Sequence, residues 1–174
     1  EMDDLKAALE DALGGRGRLV TLVGEPGIGK TRTARELATY AGLRGAQVLW
    51  GRCYEEQGVP AYWPWVQALR SYVRGSSPET LRTELGAGAG DVAEIVSDIK
   101  AQLPDIGPPL QLNNPEQERF RLFDSISTFL KTVSNRQPLV VMLDDLHWSD
   151  VPSLMLLQFV AKELSGVRIL LVGT

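Results

Sequence analysis

Apolar residues recur along this chain with two different periods, and the alternation between them lays out the elements. From Met2 to Leu13, the positions Leu5, Ala8, Leu9 and Leu13 fall on one helical face, with Gly14-Gly15 as the stop. RLVTLV, from Arg18 to Val23, is a short apolar run followed at once by Gly-rich sequence, which predicts a buried strand. Ala34, Leu37, Ala38 and Ala41 then repeat at helical spacing within a helix expected from Lys30 to Arg44, closed by Gly45. QVLWGR, Gln47 to Arg52, predicts a second strand.

From Tyr54 to Gln137 the pattern predicts helices and loops and no convincing strand. Pro64 suits the first turn of a helix running to about Arg74, and Ser77-Pro78 starts another, shorter one. GAGAG, Gly86 to Gly90, is expected to be a flexible joint. Asp91 is expected to cap a single helix carrying Val92, Ile95, Val96, Ile99 and Leu103 on one stripe. After a Pro-rich loop, Asn114-Pro115-Glu116-Gln117 resembles a capping-box start. It opens a long helix with Leu122, Phe123, Ile126, Phe129, Leu130 and Val133 inward. Leu139 to Leu143 predicts a third strand, Pro152 to Leu164 a helix stopped by Gly166, and Arg168 to Val172 a fourth strand. Strands alternating with helices predict an α/β fold, a parallel sheet covered on both faces, with a helical insert at about 54–137 between the second and third strands. No internal repeat is present.

Composition narrows the class without naming a function. A hydrophobic fraction of 44%, a charged fraction of 23% and a net charge of −4 over 174 residues suit one globular domain. They give no electrostatic reason to expect nucleic acid or an anionic membrane as a direct partner. Cys53 is the single cysteine, so no internal disulfide can form, in keeping with a reducing cytoplasmic setting. No apolar run approaches the ~20 residues needed to cross a bilayer. The chain begins on Glu1 with no secretion pattern and stops on RILLVGT, so a fragment of a longer protein, cut at both ends, is expected.

The strongest chemical signal is GEPGIGKT, Gly24 to Thr31, which matches G-x-x-x-x-G-K-[ST] between a predicted strand and a predicted helix. Glycines let the backbone turn tightly and aim N–H groups at phosphate oxygens, and the helix N-terminus adds its positive dipole end. The candidate nucleotide contacts are Gly24, Glu25, Pro26, Gly27, Ile28, Gly29, Lys30, Thr31 and Arg32. Pro26 and Gly27 shape the loop and Glu25 is expected to point outward, Lys30 would carry charge to the β- and γ-phosphates, and the Thr31 hydroxyl would ligate Mg²⁺. A three-layer P-loop NTPase core follows as the expected fold class.

LVVMLDD, Leu139 to Asp145, supplies the second half: an apolar strand ending in acids. Asp144 is the candidate Mg²⁺ ligand and Asp145 the candidate general base, with helix capping as the bland alternative for both. Asp is one methylene shorter than Glu, and Glu55 and Glu56 after the second strand compete for the base role, although a solvated loop is the plainer reading of both.

Three stretches together, GEPGIGKTR, WGRCYEEQGVPAYWPWVQALR and LVVMLDDLHWSDVPSLMLLQFV, resemble the AAA-like P-loop ATPase module of the STAND class of signal-transduction ATPases. The resemblance covers nearly the whole chain, and CYEEQGVPAYWPW and DDLHWSD are its specific part. It implies adenine rather than guanine, with no N/T-K-x-D-type reader in view, and ATP and ADP with Mg²⁺ as cofactors. It also implies a sheet ordered 5-1-4-3-2 whose fifth strand lies outside the chain, and a polar or basic sensor near Thr174. Modules of this kind work inside large transcription regulators or beside cyclase and kinase domains. The partners implied are therefore other domains of the same polypeptide, with DNA reached only through a separate output domain and no membrane contact.

Several residues tempt a sharper reading than they support. His147 could sense a γ-phosphate, but tying the loop to the next helix is favoured. Trp148 is expected to pack, as are Trp50, Tyr62, Trp63 and Trp65, rather than stack on a base. Arg35 is expected on an exposed helix surface, Cys53 half-buried, and no His/Cys cluster has zinc spacing. The sequence thus predicts an ATP-binding, slowly hydrolysing regulatory switch, with a non-hydrolytic nucleotide-binding scaffold as the alternative. A phosphotransferase ranks last, because the insert lacks clustered Arg and Lys.

Overall fold

The computed structural model describes residues 2–56 and 58–174. Helix α1 (Met2–Leu13) leads into strand β1 (Arg18–Thr21), helix α2 (Lys30–Leu43) and strand β2 (Gln47–Arg52). Among the described residues, the stretch before the next strand holds helices and loops and no strand: α3 (Trp63–Arg74), α4 (Pro78–Leu85), α5 (Ala89–Ala93), α6 (Asp98–Gln102) and α7 (Pro115–Arg136). Strand β3 (Leu139–Asp144), a 3₁₀ turn at Leu146–Trp148, helix α8 (Val151–Lys162) and strand β4 (Ile169–Gly173) complete the chain.

The four strands form one parallel sheet in the order β1-β4-β3-β2. β3 and β4 are central and buried at every position, which is why both read as unbroken apolar runs. Alternate residues of β3 feed two different cores. Leu139, Val141 and Leu143 join Trp65, Phe129 and Leu156 on the face covered by α3, α7 and α8. Val140 and Met142 join Leu9, Leu37 and Ala41 under α1 and α2 on the other face. The period-2 geometry of a strand makes a central β-run serve both layers at once.

Some sequence expectations shift. β1 is an edge strand, mostly exposed, rather than buried; it ends at Thr21, although the Leu22 N–H still reaches the Gly173 carbonyl at 2.8 Å. The expected single helix from Asp91 is two short ones, α5 and α6, and Val92, Val96, Ile99 and Leu103, on the helices and the turns beside them, are all still buried. Asp91 lies inside α5 and caps nothing: its carboxylate accepts from Arg121 Nε and Ser125 Oγ, both at 2.8 Å, pinning α5 to α7. GAGAG is not a flexible joint but a 3₁₀ turn running into α5. Its glycines serve close approach, since a Cβ at Gly88 would stand 2.9 Å from Ser125 Cβ and one at Gly90 2.7 Å from the Gly107 carbonyl.

Helix starts follow the expected chemistry more closely. Asn114 caps α7, its side chain accepting from the Glu116 N–H at 2.9 Å, with Pro115 in the first turn. Asp150 caps α8 and also accepts from the Tyr62 N–H at 3.2 Å, tying the insert to the sheet-side helix.

Candidate functional site

All four strands run the same way, so the loops after β1, β3 and β4 emerge at one edge of the sheet. Crevices outside the carboxyl ends of parallel strands are where such sheets bind ligands. A cavity of about 620 Å³ opens there, lined by the loop after β1, the start of α2, Asp145, Leu146, His147 and Thr174.

The loop from Gly24 to Gly29 owes its path to two glycines at positive φ, Gly27 at +84° and Gly29 at +104°, where an L side chain would be strained. Gly29 leads directly into α2, whose N-terminus carries no side-chain cap. The first-turn N–H groups therefore face the cavity with no intrahelical acceptor, a ready anion site. Lys30 folds its ammonium back over the loop, donating to the carbonyls of Gly24 at 2.8 Å and Glu25 at 3.1 Å. Gly24, Pro26, Gly27, Gly29, Lys30, Thr31 and Arg32 all line the cavity. Glu25 and Ile28 lie outside the lining: Glu25 contributes its carbonyl to Lys30, and Ile28 is exposed and lies against Gly24. Arg32 is also drawn aside, paired with Glu36 at 3.1 Å on the helix surface.

The acids divide sharply. Asp144 is only 4% exposed, and one of its oxygens accepts from both the Thr31 and Thr174 hydroxyls, the former at 3.0 Å. It sits behind those hydroxyls rather than in the main lining, and a groove beside β2 reaches it from the other side. Asp145 lines the main cavity from a left-handed backbone (φ 59°, ψ 46°). Its N–H donates to Thr174 Oγ1 at 3.0 Å, and its carboxylate Oδ2 accepts from Arg52 Nε, also at 3.0 Å.

Glu55 and Glu56 are exposed and line a separate, smaller cavity with Tyr54, Trp63 and Trp148. His147 is exposed and lines the main cavity, its ring centroid 5.0 Å from that of Trp148. Trp148 is 44% exposed rather than packed away. Trp65 is fully buried, Trp63 lies under the Arg70 guanidinium, and neither these nor Trp50 and Tyr62 line the main cavity. Cys53 is buried more deeply than expected, and desolvation pushes its thiol up from the ordinary value.

The donor set suits a hard cation beside a polyphosphate. A hydroxyl and a carboxylate oxygen 3.0 Å apart are the ligand type Mg²⁺ takes, with phosphates and waters filling the remaining positions. Among the described residues no group of three or more His, Cys, Asp or Glu could hold a metal ion. Arg52 was given no role by the sequence reading, although it lies in the WGRCYEEQ stretch and ends the strand beside the acidic one. Thr174 was expected near a phosphate, but not its bonds to the Asp144 carboxylate and the Asp145 N–H.

Comparison with known proteins agrees with this geometry. The family model of the AAA ATPase domain matches residues 1–172. An uncharacterized protein of Rhizobium meliloti (strain 1021) is 28% identical over 181 residues, and the whole of this chain spans 18% of that protein's length. No solved structure is a significant match. Among the described residues no helix is long and apolar enough to cross a membrane. With its phosphate-type loop, adjacent strand-end acids and a match over nearly its full length, the chain belongs to the AAA ATPase domain family.

Proposed function

We propose that this chain is an ATP-binding, slowly hydrolysing switch module within a larger signalling or transcription regulator, a single P-loop domain that exchanges ATP for ADP. The observation that carries it is the uncapped start of α2 with Lys30 turned across the loop. A positive charge and a set of main-chain donors converge there, and the Lys30 ammonium meets loop carbonyls rather than a carboxylate. In this reading the amides after Gly27 and the Lys30 ammonium bind the β- and γ-phosphates, and Lys30 exchanges its two loop carbonyls for phosphate oxygens. Thr31 and Asp144 would hold Mg²⁺, which when bound would neutralise charge on the phosphate oxygens. Asp145 takes the proton of the attacking water.

The reading of slow turnover is supported by Arg32, which lines the cavity but turns its guanidinium to Glu36. A second cation on the γ-phosphate is a large part of fast phosphoryl transfer. ATP and ADP then act as alternative ligands that bias how this core meets other domains of the polypeptide, by their difference in affinity for each arrangement. DNA would be reached only through a separate output domain.

The second reading, a scaffold that holds nucleotide without hydrolysing it, is favoured by the Arg52 contact, which already occupies part of the Asp145 carboxylate. Single-turnover release of γ-phosphate from Mg²⁺-ATP separates the two, with Asp145→Asn as control. Release by the parent that falls in the variant supports the switch. ATP bound with no release in either supports the scaffold, and no ATP binding at all would sink both.

A further inference from the structure

We propose that the open edge of β2 is a docking surface for an extended, acidic segment of a partner polypeptide, which pairs with the main chain at Val48 and Trp50 and meets the Arg35 guanidinium. β2 stands at the end of the sheet opposite β1, so one of its two main-chain edges has no strand beside it. The Gln47 N–H reaches the Pro138 carbonyl at 2.8 Å, and the Cys53 N–H reaches the Asp144 carbonyl at 2.9 Å. Alternate residues of a strand turn their amides to the same side, and the register runs unbroken between those two bonds. Leu49 and Gly51 therefore face β3, while Val48, Trp50 and Arg52 turn N–H and C=O outward.

One part of that edge is already closed by a side chain. Gln67 Oε1 of α3 accepts the outward Arg52 N–H at 2.8 Å, standing where the carbonyl of a neighbouring strand would stand. Gly51 makes this possible: a Cβ there would overlap the Pro64 carbonyl, and the close approach sets Gln67, one turn along α3, against the strand. Among the described residues no side chain does the same for Val48 or Trp50. An unpaired edge of this kind is the surface on which an extended peptide adds as a further strand.

Charge decides what kind of peptide. A groove of about 510 Å³ lies between Arg35 and Thr39 of α2, Trp50 of β2 and Gln67 of α3. Asp144 also lines it, but is 4% exposed and holds the Thr31 and Thr174 hydroxyls. Two other arginines of this helix and its end have acids of their own, Arg32 with Glu36 at 3.1 Å and Arg44 with Glu10 at 2.7 Å. Arg35, between them, is exposed, and its side chain forms no ion pair or hydrogen bond among the described residues. Arg52 adds a second guanidinium, held by Asp145 yet 58% exposed. Main-chain pairing supplies affinity for an extended segment, and Arg35 selects a carboxylate on it. A second copy fits this groove poorly, because its own β2, QVLWGR, brings a cation and no acid.

The test titrates the full chain with three labelled hexapeptides, read by fluorescence anisotropy. One alternates Asp and Val, one alternates Lys and Val, and one is the Asp peptide with every peptide nitrogen methylated. The Asp peptide should bind about tenfold more tightly than either of the others. Arg35→Glu should lose that binding by about tenfold and Arg35→Gln by less, with thermal unfolding and ATP affinity close to the parent. Amide exchange followed by NMR should slow at Val48 and Trp50 when the Asp peptide is added, and stay level at Leu49 and Gly51, which β3 already holds. Equal binding of the Lys or the methylated peptide, no effect of Arg35→Glu, or unchanged exchange at Val48 and Trp50 overturns the inference. So does a parent chain that self-associates and protects those two amides without peptide, which would give the edge to a second copy. None of these outcomes bears on the nucleotide reading, in which neither Arg35 nor the β2 edge has a part.

Discussion

Lys30 is the residue on which the nucleotide reading turns. Its ammonium rests on two carbonyls of its own loop, a weak and exposed arrangement that a triphosphate can replace with charged oxygens. Lys30→Ala should therefore abolish ATP binding, by equilibrium titration, while thermal unfolding of the free protein shifts little; retained affinity would displace the site. Asp144 presents the opposite case, buried and accepting from two hydroxyls. Asp144→Asn keeps an acceptor oxygen of the same reach but removes the charge. It should leave the fold in place and flatten the Mg²⁺ dependence of ATP binding, and magnesium titrations matching the parent would refute the metal role. Both residues were legible because motif spacing fixes them locally. Arg52 was not, since its partner lies 93 positions away and only strand pairing brings them together.

At the scale of elements, signals carried by neighbouring residues were readable and signals from packing were not. The Asn114-Pro115 start of α7 follows from chemistry within four residues, and Asn114 caps the helix as that chemistry dictates. Asn114→Ala should cost about 1 kcal/mol of stability, read by chemical denaturation, because the Glu116 and Gln117 N–H groups lose their acceptor. A cost near zero would mean that the Pro115 start alone fixes this end. GAGAG misled because glycine has two uses, freedom and closeness, and a sequence does not say which. Here Ser125 on α7 and the Gly107 carbonyl crowd it from two sides. The break between α5 and α6 escaped notice for a related reason: the inward stripe Val92, Val96, Ile99 and Leu103 survives a turn that keeps the same face buried.

For the whole molecule, ion pairs at element ends set the acid limit and ligand binding sets the ceiling. Burial would raise the Asp98 carboxyl, but the Arg74 and Arg70 guanidinia outweigh it and hold it below its ordinary 3.8. Arg16 and Arg18 similarly lower Asp11, which fastens the end of α1 to the start of β1. A carboxyl lowered in the folded state stabilises above its unfolded value, and that contribution fades as pH falls through the folded value. Stability should therefore decline below about pH 4, and Asp98→Asn should make that decline shallower in pH-dependent melts. An unchanged acid slope would show that the pair adds nothing. Mg²⁺-ATP at 100 times its dissociation constant should stabilise the fold by about 2.7 kcal/mol, visible as a raised Tm that Lys30→Ala loses. The sequence by itself determined the α/β class, the phosphate-type loop and the acidic strand end, because periodicity, turn chemistry and motif spacing act within a few residues. Only the tertiary structure decided that the Thr174 hydroxyl joins the Asp144 carboxylate to the Asp145 N–H, and that Arg52 reaches Asp145. Those contacts join residues far apart in the chain, and the parallel sheet alone determines which strand ends become neighbours.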